Sequence, residues 1–234
     1  VAYYVQPKVV LKWVQHFQAL KQAGEIESEI WVTSSDNFAS WGGGEVRYQT
    51  PTLDALILAV DFVSMHTYPF HDTHYNPAFW SDILDEGNAQ APQADVSARM
   101  ARAAAYAQDQ YASTKRYVSR IDPGKAIHIG ETGWASVDNG FYGPSGSNAA
   151  GERQQQLYFE LMTAWARAAG VVLVLFEAFD EPWKDAKNPG GSENHFGLID
   201  RQNRAKRVLW TEHDAGALQG LTRGGRPIVR SDAP

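Results

Sequence analysis

Glu131 directly follows the apolar run Ile127-His128-Ile129-Gly130 and leads into Thr132-Gly133-Trp134. Glu177, Asp180 and Glu181 follow a second apolar run, residues 171–176, with Trp183 and Lys184 just beyond. Two other short apolar segments end in chemistry-bearing residues, one in Ser35-Asp36-Asn37 and one in His66-Thr67-Tyr68. A carboxylate can attack or protonate an anomeric carbon, and an indole face stacks on a pyranose ring. Carboxylates and tryptophans at strand ends therefore point to glycoside chemistry. Glu131 is the best-placed carboxylate, because Gly130 leaves open space close to its backbone. Like charges cannot all crowd one dry pocket, so one or two of Glu177, Asp180 and Glu181 are expected to pair with Lys184 or to face solvent.

Other chemistries have less support. His66, His71 and His74, with Asp72, form a loop pattern too loose to define a zinc site, and no metal or cofactor is expected. No cysteine is present, which excludes disulfides and thiol catalysis. No strand is followed by a Gly-x-Gly-x-x-Gly run, and there is no Walker motif. Gly42-Gly43-Gly44 does not open a helix and is not expected to cradle a phosphate. The 234 residues carry a formal charge of −6, which argues against nucleic acid as the main partner. The longest apolar run, residues 171–176, is too short to span a bilayer.

Hydrophobic spacing predicts the elements that must hold these residues. Helices are expected over residues 7–23, 52–60, 96–118 and 151–169, and short apolar strands over 30–32, 62–68, 126–130 and 171–176. Residues 69–92 and 139–150 read as loops. This alternation predicts an α/β fold with a parallel sheet and right-handed crossovers. The polar residues sit at the C-terminal ends of the strands, which favours a (β/α) barrel, where such ends share one active face. One domain is expected, with its core over residues 7–200 and an irregular tail over 201–234.

At these residues the sequence resembles glycoside hydrolase family 17, the β-1,3-glucanases and glucanosyltransferases. Residues 129–136 (Ile-Gly-Glu-Thr-Gly-Trp-Ala-Ser) resemble its nucleophile motif, with Ala135 where the motif usually has Pro. Residues 176–184 are similar to its last-strand motif, residues 193–200 to the segment that follows it, and residues 63–69 to an earlier strand. The resemblance is strongest to bacterial members that build or remodel β-glucans. It implies a retaining mechanism with Glu131 as nucleophile. It places Glu181, Lys184 and Glu193 near that residue, has Tyr68, Trp134 and Trp183 shape sugar subsites, has Asp36 and Asn37 line the same cleft, and counts Glu177 among the substrate-binding residues.

The family's acid/base is a Glu in an Asn-Glu pair after the fourth of eight strands. This sequence contains no Asn-Glu pair. The expectation is a (βα)4 half barrel, a TIM-barrel derivative holding strands five to eight, whose proton donor lies elsewhere. A half barrel exposes two sheet edges and its inner face, so a homodimer or a complementary N-terminal half is expected as partner, alongside β-glucan or an oligosaccharide. A module that binds β-glucan without cleaving it, or a self-associating scaffold, stays open beside the enzyme. The resemblance also implies a periplasmic or extracellular setting.

Overall fold

In the computed structural model, which describes residues 6–81, 93–139 and 147–232, helices and strands alternate. Helix α1 spans Pro7–Gln22, strand β1 Ser35–Asn37, helix α2 Pro51–Ala59 and strand β2 Val63–His66. Helices α3 (Pro69–Tyr75), α4 (Ala78–Ser81) and α5 (Gln93–Ile121) precede β3 (Ile127–Thr132), then come α6 (Glu152–Ala169) and β4 (Leu173–Leu175). These strands form one four-stranded sheet in the order β1-β2-β3-β4, with β1–β2 and β2–β3 parallel. Sequential order with helical crossovers is the topology of half a (β/α)8 barrel.

The chain divides into two compact units. The first comprises Val1–Thr67, Ala107–Thr132 and Ala166–Val174. One face of its sheet carries Val63, Met65, Ile127 and Ile129, all buried along with Leu53, Leu56 and Ile57 of α2. Lateral register pairs Val63 with Ile127 and Met65 with Ile129 on that face. Ser64 and His128 pair on the opposite face, where Phe62 stacks on His128 with ring centroids 4.2 Å apart. Helix α2 starts cleanly, with Thr50 accepting from the Leu53 N–H and Pro at the first helical turn. The Gly42-Gly43 turn packs on α5, where a Cβ on Gly43 would lie 2.2 Å from Thr114 Oγ1.

The first strand departs from expectation. Ile30 and Trp31 are exposed, and Val32 exchanges hydrogen bonds with Asp61 instead of joining a ladder. The strand forms three residues later, in the polar run Ser35–Asn37, because Ser35 Oγ meets Ser64 Oγ at 2.6 Å across the sheet. A polar strand of this kind is invisible to a search for apolar runs. Strands β2 and β4 lie inside their predicted spans, and β3 begins inside its span but runs two residues past it, to Thr132.

The second unit comprises Tyr68–Tyr106, Gly133–Trp165 and Leu175–Pro234. Its aromatic core gathers Phe70, Trp80, Trp134, Tyr158 and Phe196. The segment predicted as loop after Pro69 begins as α3 and α4. Its continuation over 82–92, and residues 140–146 of the other predicted loop, lie outside the described residues. Ser147 and Ala149 accept hydrogen bonds from the indoles of Trp80 and Trp134.

Residues beyond 200, which show little periodicity, still fold. Strand β5 (Arg204–Ala205), helix α7 (Trp210–Asp214), the hairpin β6 (Thr222–Arg223) and β7 (Arg226–Pro227), and β8 (Val229–Arg230) surround a cluster of Ile199, Ala205, Val208, Leu209 and Ile228. Elements of two residues are too short to print a period on the sequence.

Candidate active site

Glu131 lies in the first unit, one residue before the end of β3. Its direction is set by a bulge. Met65 pairs with Ile129, but the next residue of β2, His66, pairs with Glu131, so Gly130 is the extra residue on β3. Strict alternation would send Glu131 to the face of Ile127 and Ile129, among buried apolar side chains. The bulge turns it to the face of Ser64 and His66 instead. Gly130 is required there, since a Cβ would sit 1.9 Å from Ser64 Oγ.

The bulge brings Glu131 Oε2 to 3.4 Å from His66 Nδ1, with the Glu131 side chain 39% exposed and that of His66 17%. Burial pushes the His66 imidazole below its usual pKa, while the charges of Glu131 and Asp36 pull it back up. Burial wins, so the ring is neutral at neutral pH. His66 Nε2 is buried with no hydrogen-bond partner. Asp36 Oδ1 accepts from the Asn37 N–H at 2.7 Å, and Asn37 Oδ1 accepts from the backbone and hydroxyl of Ser40. Asp36, Asn37, His66 and Glu131 thus share three neighbouring strand ends, β1, β2 and β3.

The remaining predicted residues belong to the second unit. Glu177 follows a cis peptide bond from Phe176 and is almost fully buried. Desolvation first, then the hydrogen bond and charge of Glu181, push its carboxyl up to about 8. Lys184 Nζ lies 3.5 Å from Glu181 Oε2 and 4.2 Å from the Phe176 ring centroid. One acidic residue of this trio thus pairs with Lys184, as expected. Asp180 pairs with a residue the sequence did not single out: its Oδ1 accepts from Lys206 Nζ at 2.7 Å, and both side chains are almost fully buried. Lys206 also donates to Ser136 Oγ at 2.8 Å, and Asp180 Oδ1 takes the Gly197 N–H. Lys206 lies in the segment without periodicity, and nothing in the sequence signals its partner.

Glu193 meets His71 Nε2 at 2.9 Å. Tyr68 sits edge-on to Phe176 and Phe196 and 5.1 Å from the His71 ring. Trp183 is 62% exposed. Trp134, expected to shape a subsite, is only 1% exposed and packs against Phe70, Trp80 and Tyr158. Its contribution is to hold the core, because its rings have no open face to offer a sugar. His66 reads in the sequence as a polar strand-end residue, without a place in the site. Its position opposite a strand-end Glu is a tertiary fact that the sequence signals only by ending an apolar run. Among the described residues no three His, Asp, Glu or Cys side chains gather as a metal site would require.

Comparison with known proteins matches this architecture. The BtgE/BtgC glycoside hydrolase domain profile covers residues 3–197. The endo-laminarinase of Formosa Hel1_33_131 superposes with a TM-score of 0.88 at 50% identity, over 97% of this chain and 57% of that protein. The family 17 β-1,3-glucanosyltransferase of Rhizomucor miehei shares the fold, with a TM-score of 0.55 at 21% identity over 87% of this chain and 57% of that one. A glucan 1,3-beta-glucosidase of Arthroderma benhamiae is 26% identical over 194 residues, 80% of this chain and 52% of that protein. The chain spans a little over half the length of these relatives. It belongs to the BtgE/BtgC glycoside hydrolase domain family.

Proposed function

We propose that this chain supplies the nucleophile of a retaining β-1,3-glucan hydrolase or glucanosyltransferase, and that Glu131 is that nucleophile. The observation that carries the reading is the Gly130 bulge, which turns a half-exposed carboxylate out of the apolar face and sets it beside a neutral imidazole. In the proposed first step a Glu131 oxygen attacks the anomeric carbon and the glycosidic bond breaks. A glycosyl ester forms, and water or another sugar hydroxyl then releases it. His66, with its proton on Nδ1, faces the carboxylate and orients it. Asp36 and Asn37 offer hydrogen-bonding groups at the strand ends beside Glu131.

Retention needs a second carboxyl about 5 to 5.5 Å from the first, to protonate the leaving oxygen. We place that group outside residues 1–234, on a complementary (βα) half. Three features favour such a partner. The sequence has no Asn-Glu pair. Strand β1 is hydrogen-bonded to β2 alone within the sheet. Trp31, which precedes β1, and Val172 and Val174, at the β4 edge, are exposed.

A fluorinated laminaribioside with a dinitrophenyl leaving group tests the nucleophile without needing the proton donor, because that leaving group departs unassisted. Peptide mass spectrometry is expected to find the sugar on Glu131, and none on the Glu131→Gln variant. Turnover of an unfluorinated aryl laminaribioside is expected to fall on the order of 10³-fold or more in that variant. Label on another residue, or equal turnover by both proteins, overturns the assignment.

A further inference from the structure

The sequence carries 27 acidic against 21 basic side chains, yet one cleft of the second unit runs the other way. This cleft, about 320 Å³, is lined by Arg201, Arg223 and Arg226, with Trp183 and Asn203 between them. Among the described residues no carboxylate pairs with any of the three guanidiniums. Asp200, next to Arg201, is engaged by Arg204 at 2.6 Å, and Asp180 by Lys206 at 2.7 Å. Asp180 also forms part of the wall, but its charge is met by Lys206 behind it.

The fold brings these cations together at a cost. The β6–β7 hairpin turns through Gly224 and Gly225, both in the left-handed region at φ +57° and +73°, and so sets Arg223 directly opposite Arg226. A two-residue turn of this kind demands glycine at its centre, but it demands nothing of the flanking pair. Like charges directly opposite on two strands destabilise them. The hairpin is pinned regardless: Asn203 Nδ2 donates to the carbonyls of Arg223 at 3.0 Å and Arg226 at 3.3 Å. Asn203 is 2% exposed, and its Oδ1 has no donor. Arg223 is fixed further by stacking over Phe179, 4.3 Å from the ring centroid.

We propose that this cleft binds an anionic substituent, a sulfate, phosphate or carboxylate group, carried on a saccharide that lies against Trp183. A guanidinium held in place, as that of Arg223 is over Phe179, matches the paired oxygens of such groups, and Arg201 and Arg226 add charge from the same walls. The exposed indole supplies the flat apolar surface that a pyranose takes. The saccharide part rests on the proposed glucan binding; the anion part does not.

Calorimetric titration of the chain with laminarin, sulfated laminarin and dextran sulfate tests it. Sulfated laminarin is expected to bind about tenfold more tightly than laminarin, with the advantage shrinking as salt rises. The Arg223→Gln/Arg226→Gln variant should lose that advantage and keep its affinity for laminarin, while Arg223→Lys/Arg226→Lys keeps part of the advantage. Should the Gln variant fail to fold, Arg201→Gln carries the same expectation from an exposed position. Equal affinity for the two laminarins, or an advantage that survives the Gln substitutions, overturns the site. Arginine-dependent binding of dextran sulfate without any binding of laminarin would uphold the anion site and count against the glucan reading.

Discussion

Glu131 in the first unit and Asp180 in the second are both carboxylates placed just beyond an apolar run, and in sequence they read alike. The fold treats them oppositely. Glu131 is turned outward by a bulge, keeps a large part of its side chain open and meets one neutral imidazole at 3.4 Å. Asp180 is almost fully buried and is held by an ammonium, a backbone N–H and a nearby histidine. A carboxylate that must react with a ligand needs exposure and one light support. A carboxylate that must hold a loop in place needs all its lone pairs taken. Exposure separates the two roles where residue type does not.

The largest expected effect breaks the closed side of this contrast. Lys206→Met leaves Asp180 buried without its counter-charge and should destabilise the protein by about 3–5 kcal/mol. Adding Asp180→Leu to Lys206→Met should recover most of that loss, because a matched apolar pair carries no unpaid desolvation. Glu131→Gln, measured in the same urea titration, should cost less than about 1 kcal/mol, as surface substitutions do. Equal costs for Lys206→Met and Glu131→Gln would remove the distinction between the two carboxylates.

The next effect sharpens it with pH. Glu177 has its carboxyl raised from 4.5 to about 8 by burial and by Glu181, so the folded chain holds a proton there that the unfolded chain releases. Its contribution to stability is complete below the unfolded value and is lost as pH rises toward 8. Glu177→Gln keeps the shape and removes the titration. Relative to this variant, the wild type should lose on the order of 3 kcal/mol between about pH 5 and pH 8. Parallel stability curves for the two proteins across that window would mean Glu177 is ionised in the fold.

The parts of this molecule that sequence made legible are those with a local physical signature. Apolar residues at helical spacing located α1, α2, α5 and α6, and the apolar runs before His66, Glu131 and Glu177 located β2, β3 and β4. The position of Glu131 at a strand end was legible for the same reason. What stayed hidden depends on partners distant in the chain. Strand β1 is polar because its serine answers Ser64, 29 residues on. Lys206 answers Asp180, 26 residues back. Trp134 reads as a sugar platform by type, and only the packing of Phe70, Trp80 and Tyr158 around it makes it core. The bulge is intermediate: Gly130 suggested room near the backbone, but the face it gives Glu131 follows from register with β2.

That register is the open side of the contrast, and Gly130→Ala tests it at the smallest stability cost. The added methyl would lie 1.9 Å from Ser64 Oγ and 3.4 Å from Ser35 Oγ. The Ser64 hydroxyl can rotate or the strand can shift, so the penalty should be near the low end for overpacking, about 1 kcal/mol. If the strand shifts, Glu131 moves away from His66. Turnover of an aryl laminaribioside should then fall well beyond what the stability loss accounts for. Replacing Ser64 by Gly in the same protein removes the clash and should restore turnover, while the lost Ser35–Ser64 hydrogen bond keeps the protein destabilised. A Gly130→Ala protein that is destabilised yet turns over normally would show that the bulge fits the strands together without aiming the carboxylate.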